Sequence, residues 1–459
     1  MNQPRLCQGL KIGKKLFFMG SEEFALTAAK RPANSQKDLV GLKRNALVNQ
    51  WRAITDSLTK RAPDHNMHGL VDENKFTWLL KCLSHLGNKK YPYQVYAKPD
   101  ENDGIFKLIA IDGQETTIAL LSDWASDTPE SVKIASLVGS VDYTIHLGDT
   151  YYVGNSREIA DNFNDTFGAP WPYGSRGSFA MLGNHEMYSS GKSYFTELLP
   201  YMGVYAGTGA MQRQEASFFC LENEHWRIIG LDTGYNSLTG WFGWLPNRSM
   251  RLRDEQVAWL RDKVRLGDDN RGIIFLSHHQ PISAFDKHEF RAFLSQLDSL
   301  LTTDRTVLWF CGHEHVLALY GQNRFGEKLN GFTRCIGNSG MPVEVRHLAP
   351  KSSVVDHPDN RGLVVYDQRT RNLIEGNIPL GHNGFVQLRL QNENLRIDYY
   401  DDAASNVKNL LLTEKWVINH DSGILTGVSI TDHTLTNSPE TGMDRLTHFQ
   451  AAIEKAIGG

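Results

Sequence analysis

The sequence has no run of about 20 consecutive apolar residues, which is the length that a helix needs to cross a bilayer. We therefore expect no membrane-spanning helix. The first residues, MNQPRLCQGLKIGKKLFFMG, also lack the continuous apolar stretch and the small-residue cleavage site of a secretory signal. These absences predict a soluble, cytoplasmic protein.

A large excess of charge of one sign is absent as well. The chain carries 48 Lys and Arg residues against 52 Asp and Glu residues, a formal net charge of -4, and no long run of like charge. Such a balance does not draw the whole protein to nucleic acid or to an anionic membrane surface. Nucleic acid is therefore not indicated as a partner, although a small local basic patch stays possible.

Cysteine is scarce and scattered. The five cysteines are odd in number and never stand in a Cys-x-x-Cys spacing: Cys7, Cys82, Cys220, Cys311 and Cys335. This pattern indicates neither a disulfide framework nor a zinc site made of thiolates. We expect most of these cysteines to be buried as small apolar side chains.

The chain, at 459 residues, exceeds the length at which one hydrophobic core usually stops growing, and its pattern divides into three parts. Within residues 1–90, Leu47, Trp51, Ile54 and Leu58 follow one another at helical spacing, which predicts a helical N-terminal extension. Residues 349–459 are rich in β-type runs, so we expect them to complete a sheet. Within this part, residues 349–362 are the best linker candidate, and a short helix is expected at its C-terminal end.

The middle part, residues 91–348, has the pattern of a layered α/β core. It opens with two strand-like runs around a Pro-Asp-Glu-Asn-Asp-Gly turn, which predict a hairpin over about residues 91–112. Short apolar runs then alternate with helical stretches, the first of these helices opening at Pro129. That alternation predicts helices packed on sheets.

Residues able to bind metals follow successive apolar runs of this core. In chain order they are Asp123, Gly148-Asp149, Gly183-Asn184-His185-Glu186, His278-His279 and Gly312-His313-Glu314-His315. Taken singly, each has an ordinary alternative as a helix cap, a turn residue or a structural histidine. The carboxyl ends of strands are, however, where open α/β sheets collect functional groups, and carboxylates with imidazoles are ligands of metal pairs. The ordered set therefore predicts a metal site.

These clusters resemble the signature blocks of the calcineurin-like metallophosphoesterase superfamily, over about residues 116–340. The resemblance implies an α/β fold (α+β in some schemes), namely a four-layer β-sandwich flanked by helices. It also implies a dinuclear metal centre that hydrolyses phosphate esters. Residues 91–348 would then be the catalytic core.

The first block, which begins at Asp123, departs from the superfamily pattern. The usual first block is Asp-x-His, but here Asp123 is followed by Trp124 and Ala125, so that histidine ligand is missing. Tyr152 stands three residues after Asp149, an arrangement similar to the purple acid phosphatases, in which a phenolate replaces the histidine. That branch usually has glycine where Ala125 stands.

The resemblance also implies a set of ligands. The first metal would be bound by Asp123, Tyr152 and His315, and the second by Asn184, His278 and His313, with Asp149 bridging the two. A phenolate is a hard anionic ligand and favours Fe(III) at the first site. Fe(II), Zn(II) or Mn(II) suits the second site.

The fourth block allows two alignments. Counting back from Ser283 favours His278 as the ligand, whereas counting from Pro281 favours His279. We choose His278 as the ligand and expect His279 to contact the phosphate of a bound substrate.

The mechanism that the resemblance implies is attack of a metal-bound hydroxide on a phosphate monoester, with Asp149 holding both metals. His185 corresponds to the residue that protonates the leaving alcohol. We expect Glu186 to orient that imidazole at the substrate site, although a role as an ordinary salt-bridge partner is an equal alternative.

Three functions are compatible with these blocks. The first is hydrolysis of a small phosphorylated monoester, and the second is a phosphodiesterase acting on cyclic nucleotides, lipids or nucleic acid. The third is a catalytically silent binding or scaffold protein that keeps the fold.

Overall fold

The computed structural model describes residues 78, 81–82, 84–85, 88–109, 114–164, 171–205, 211–239, 245–247, 249–285, 290–343, 362–375, 378–404 and 407–435. Most of the N-terminal helical extension, the linker candidate and the terminal helix lie outside the described residues. Within the described ranges no helix combines the length and apolar character that a membrane span requires.

The described residues form 21 strands, which are, in chain order, β1 Ile105–Lys107, β2 Thr116–Leu121, β3 Tyr143–His146, β4 Gly177–Ala180, β5 Gly203–Tyr205, β6 Met211–Arg213, β7 Phe219–Glu222, β8 Trp226–Leu231, β9 Leu238–Thr239, β10 Leu245–Pro246, β11 Gly272–Ser277, β12 Arg305–Cys311, β13 Leu317–Arg324, β14 Leu329–Ile336, β15 Leu363–Tyr366, β16 Thr370–Glu375, β17 Ile378–Gly381, β18 Gly384–Gln391, β19 Asn394–Asp401, β20 Asn409–Asn419 and β21 Ile424–Asp432.

The α-helices of the described residues are short: α1 Pro129–Val138, α2 Ser156–Glu158, α3 Asn184–Tyr188, α4 Asp254–Trp259 and α5 Arg291–Asp298. Wider, π-type turns cover Ile159–Asn164, Tyr194–Leu198 and Leu260–Val264, and a 3₁₀ turn covers Leu199–Tyr201. Helix α1 begins as the sequence predicts, because Thr128 caps its N-terminus and Pro129 occupies the first turn.

Two large sheets contain most strands. The first has eight strands in the order β1-β7-β8-β11-β12-β14-β13-β15, and the second has nine in the order β21-β20-β19-β18-β2-β3-β4-β5-β6. The C-terminal strands β18 to β21 extend the second sheet, since β18 pairs with β2 in antiparallel orientation. Residues after 380 therefore complete a sheet that begins in the middle of the chain.

The two sheets pack face to face around an apolar core. The ring of Phe179 on β4 lies 4.6 Å from that of Phe219 on β7, and Phe332 on β14 lies 4.8 Å from Trp416 on β20, centroid to centroid. Burial of these aromatic rings between the sheets supplies much of the hydrophobic stabilisation of the sandwich.

Helices cover the outer faces of both sheets. Ala119 and Leu121 of β2 pack in one cluster with Ile134 and Leu137 of α1, while the ring of Phe293 on α5 packs edge to face against Trp309 of the first sheet. Strands that are buried on both sides do not alternate polar and apolar residues, which explains uninterrupted apolar runs such as IALL in β2. The predicted four-layer α/β architecture is confirmed.

The hairpin predicted over residues 91–112 is wrong. Among the described residues of this range, only Ile105–Lys107 forms a strand, and β1 pairs in parallel with β7 rather than with residues 91–96. The aromatic residues of the expected first strand pack inward instead, with the hydroxyl of Tyr96 donating to the carbonyl oxygen of Phe218 at 2.8 Å.

Candidate metal centre

The parallel strands of both sheets end at a common edge. Strands β2, β3 and β4 run parallel in one sheet, and β8, β11 and β12 run parallel in the other. The predicted ligand clusters all follow these carboxyl ends. The fold thus brings together residues that are far apart in the sequence.

The turns after these strands have unusual backbone geometry. Asp123, Asp149 and His313 adopt left-handed conformations, with φ of 57°, 73° and 68°. Such values in residues other than glycine are uncommon and cluster at functional sites. A left-handed residue ends the regular alternation of side-chain directions along a strand.

Glycines allow the turns to approach one another closely. A Cβ atom at Gly183 would lie 2.1 Å from Oδ1 of Asp149, and one at Gly312 would lie 1.7 Å from Oγ of Ser122. No side chain fits in that space. The glycines that precede the ligand candidates are therefore required by packing at this edge.

Asp149 lies at the middle of the group and is buried. Its Oδ2 atom is 3.3 Å from the hydroxyl of Tyr151 and 3.3 Å from Nε2 of His278, while Oδ1 accepts the backbone N–H of His185 at 2.9 Å. The carboxylate consequently faces two separate sets of side chains.

The first set surrounds Asp123. Its Oδ1 atom accepts a hydrogen bond from the hydroxyl of Tyr151 at 2.6 Å and lies 3.3 Å from Nε2 of His315. That imidazole nitrogen is 2.8 Å from the same hydroxyl. The backbone N–H of His313 donates to Oδ2 of Asp123 at 3.0 Å, which fixes the carboxylate.

The second set surrounds His278. Its Nε2 atom lies 3.1 Å from Oδ1 of Asn184, and its Nδ1 atom is 3.0 Å from the carbonyl oxygen of Leu147. A carbonyl only accepts, so Nδ1 carries a proton, and Nε2, which faces the oxygens of Asn184 and Asp149, is the nitrogen left to bind a metal. The ring of His313 lies 5.3 Å from that of His278.

His279 lies beside the second set, between Thr233 and His313. Its Nδ1 atom lies 3.1 Å from Oγ1 of Thr233, and its ring is 4.6 Å from that of His313. Thr233, which follows the end of β8, is not among the predicted site residues. The only sequence signal for it is its place two residues after an apolar run.

The structure places the two adjacent tyrosines differently from the prediction. The hydroxyl that contacts Asp123 and His315 belongs to Tyr151, whereas the spacing points to Tyr152. The ring of Tyr152 lies 5.0 Å from Nζ of Lys81. A phenol is thus present in the centre, one residue earlier in the chain than expected.

His185 and Glu186 open helix α3 beside the centre. Nδ1 of His185 lies 2.7 Å from the carbonyl oxygen of Tyr152, and Nε2 lies 3.7 Å from Oδ2 of Asp149. Glu186 is fully buried and accepts the backbone N–H of Gly183 at 2.9 Å. The contact that orients the His185 ring is therefore made by Tyr152, and not by Glu186 as expected.

Burial and neighbouring charges together set the pKa values of these groups. Burial raises the pKa of Asp149, but the imidazoles of His278 and His185 outweigh it and hold that pKa well below its usual value. For Glu186, burial dominates and Asp149 adds to it, which raises the pKa to about 8. Neighbouring carboxyl groups whose pKa values shift in opposite directions are typical of functional sites.

The side chains fit a pair of metal ions. Two overlapping groups, Asp123/Asp149/His278 and His278/His279/His313, each place one donor atom per residue within 4.8 Å of the others. Buried carboxylates are costly without compensating positive charge, and oxygen and imidazole donors suit iron, zinc and manganese. The described residues therefore form a site that could hold two metals.

Three of the solved structures that this chain resembles share 10–12% of its sequence. PhoD has 12% identity over 76% of this chain and 78% of its own, with a TM-score of 0.42. GAP50, the anchor in the inner membrane complex of Plasmodium, has 12% identity over 74% and 95%, with a TM-score of 0.38. Vacuolar protein sorting 29 from Cryptosporidium parvum has 10% identity over 66% and 99%, with a TM-score of 0.24.

Comparison with curated proteins finds no match. The family model described as calcineurin-like phosphoesterase matches residues 116–317, which run from the first residue of β2 to the first residue of β13. That segment contains every candidate ligand described above. The resemblance to calcineurin-like phosphoesterases that the sequence blocks predict is thus confirmed over residues 116–317.

Proposed function

We propose that this protein hydrolyses phosphate monoesters at a dinuclear metal centre. The observation that carries the proposal is the position of Asp149, whose Oδ2 atom lies 3.3 Å from the Tyr151 hydroxyl on one side and 3.3 Å from Nε2 of His278 on the other. A carboxylate placed between two donor sets is suited to bridging two cations.

In this proposal the ligand sets follow the two groups of side chains. Asp123, Tyr151 and His315 hold the first metal, with Tyr151 taking the place that the spacing gives to Tyr152. Asn184, His278 and His313 hold the second. A phenol among the donors of the first set supports Fe(III) there, and Fe(II), Zn(II) or Mn(II) suits the second set.

Bound metals would supply an activated water and would polarise the phosphoryl oxygens. The residues of the chain supply the remaining functions. The carbonyl oxygen of Tyr152 accepts the Nδ1–H of His185, so Nε2 of that ring, 3.7 Å from Oδ2 of Asp149, can give a proton to the leaving alcohol. His279, whose Nδ1 atom lies 3.1 Å from Oγ1 of Thr233, contacts the phosphate in this proposal.

A paired assay tests the proposal. After metal loading, wild type and Asp149→Asn are compared on an aryl phosphate monoester and on the matching diester. We expect wild type to prefer the monoester and Asp149→Asn to lose at least about a hundredfold in kcat, because the amide cannot bridge two cations as a carboxylate does.

Asp142→Asn is the matched control, since Asp142 directly precedes β3 at the end opposite to Asp149 and pairs with Arg176 at 3.0 Å. It should retain activity. A preference for the diester would identify a phosphodiesterase instead. No turnover of either substrate by the loaded wild type would support a silent relative and would contradict the proposal.

A further inference from the structure

Three hairpin turns meet at the edge of the sandwich that is opposite to the candidate metal centre. They carry His225 between β7 and β8, Glu393 between β18 and β19, and His420 between β20 and β21. His225 precedes β8, whereas the metal centre lies beyond the carboxyl ends of β8, β11 and β12. The length of a strand therefore separates the two clusters.

The side chains of these turns converge although they come from different sheets. Nδ1 of His225 lies 2.8 Å from Nε2 of His420 and 3.6 Å from Oε1 of Glu393. One donor atom from each residue lies within 4.8 Å of the other two. Two imidazoles and a carboxylate are the ligand types of a three-residue zinc site with an open fourth position.

The distances suit a metal after a small adjustment. Zinc binds imidazole nitrogen and carboxylate oxygen at about 2.0–2.2 Å, so ligand atoms of a tetrahedral site lie roughly 3.3–3.5 Å apart. The His225–Glu393 separation of 3.6 Å is near that value, and the His225–His420 pair must open by about half an ångström. Rotation of partly exposed side chains allows such a change.

The backbone of all three turns is held in place. Oδ1 of Asn223 accepts the N–H groups of His225 and Trp226 at 2.9 and 2.7 Å. The carbonyl oxygen of Glu393 accepts from Ile418 at 3.1 Å. Oδ1 of Asn419 accepts from Asp421 at 2.9 Å. Ligands on fixed turns lose little freedom when a metal binds, which favours affinity.

We propose that His225, Glu393 and His420 bind one divalent transition metal, with zinc the best fit. Imidazole with carboxylate favours zinc over calcium or magnesium, which take oxygen ligands. The metal would join the β7–β8 turn of the first sheet to two turns of the second. This site is independent of the proposed phosphatase chemistry.

The test of this site is the number of zinc ions bound per chain, measured by equilibrium dialysis of metal-free protein against zinc. We expect wild type to bind one zinc per chain more than the double variant His225→Gln/His420→Gln. The single variant Glu393→Gln should weaken that zinc by about tenfold or more, because even indirect partners of ligands contribute that much. Hydrolysis by the loaded candidate centre should be unchanged in all variants.

Glu224→Gln is the matched control, because it removes a carboxylate from the β7–β8 turn without touching the cluster. It should bind as much zinc as wild type. If the double variant is poorly folded by circular dichroism, Glu393→Gln alone decides. Equal zinc counts and affinities in wild type and Glu393→Gln, or an equal loss in Glu224→Gln, would overturn the proposal.

Discussion

The hydroxyl of Tyr151 lies 2.6 Å from Oδ1 of Asp123, inside the candidate metal centre. The next residue, Tyr152, contributes its backbone carbonyl to His185 at 2.7 Å. Two neighbouring tyrosines thus serve the same site by different atoms, one through its side chain and the other through its main chain. This division leads to opposite expectations for the two phenylalanine variants.

Tyr151→Phe should abolish the visible absorption of the iron-loaded protein, because it removes the phenolate ligand that we propose for ferric iron. Tyr152→Phe should keep the colour, since its main-chain carbonyl is retained. Absorption spectroscopy after iron loading checks both variants. Loss of colour in Tyr152→Phe with colour retained in Tyr151→Phe would return the ligand role to Tyr152.

His185→Gln should lower kcat by about 10²–10⁴-fold for substrates with poor leaving groups, because these need a proton on the departing oxygen. An aryl phosphate with an acidic phenol should be affected much less. Metal content should equal that of wild type. The measurement is kcat across a series of leaving groups. A uniform loss across the series, or a loss of metal, would argue for a structural or ligand role instead.

Arg334 on β14 and Glu414 on β20 form a buried ion pair between the two sheets, with both nitrogen–oxygen contacts at 2.8 Å and side-chain exposures of 4% and 0%. Arg334→Met should cost about 3–5 kcal/mol of unfolding free energy, since a charged Glu414 is left in the core without its cationic partner. Denaturant unfolding measures this.

The double variant Arg334→Met/Glu414→Gln should recover much of that loss, because the new amide is neutral and its oxygen can still accept from Tyr399 or Trp416. The exposed pair Arg157–Asp161 is the control, and Arg157→Met should cost no more than about 0.5 kcal/mol. A double variant no more stable than Arg334→Met would show that the unpaired charge is not the source of the loss.

Burial raises the pKa of Asp232 to about 6 from its usual 3.8. The folded protein therefore holds this proton more tightly than the unfolded chain between these pH values. As a result, the stability contributed by this group is present below about pH 4 and is lost as pH rises through 6. The loss amounts to about 3 kcal/mol, from a shift of about two pKa units.

Asp232→Asn should remove this dependence, because the amide does not titrate while its oxygen can still accept the N–H of Tyr235. The variant minus wild-type difference in unfolding free energy should therefore grow from pH 4 to pH 7. Denaturant unfolding across that range gives the difference. A difference that does not change with pH would show that the carboxyl titrates normally.

The sequence predicts the layers and the edge at which the candidate ligands meet. Runs such as IALL in β2 and IIFL in β11 are apolar without interruption because helices and a second sheet bury both faces of the strand. Asp123, Asp149, His278 and His313 follow such runs, so their approximate place is set by the fold. Their roles as metal ligands stay predictions.

Finer placement could not be predicted in the same way. Gly148 and Asp149 have φ of 102° and 73°, so the chain leaves β3 by a turn in which residue spacing no longer decides side-chain direction. The assignment of the phenol to Tyr152 rests on that spacing. The choice between His278 and His279 likewise depends on Thr233 and Asn184, which come from other strands.

The proposed dinuclear centre depends above all on the position of Asp149 between two donor sets, and an anomalous difference map of manganese-soaked crystals tests it most directly. We expect two peaks, one on each side of the Asp149 carboxylate, the first next to Asp123 and the second next to His278. A single peak, or none at Asp149, would contradict a dinuclear centre.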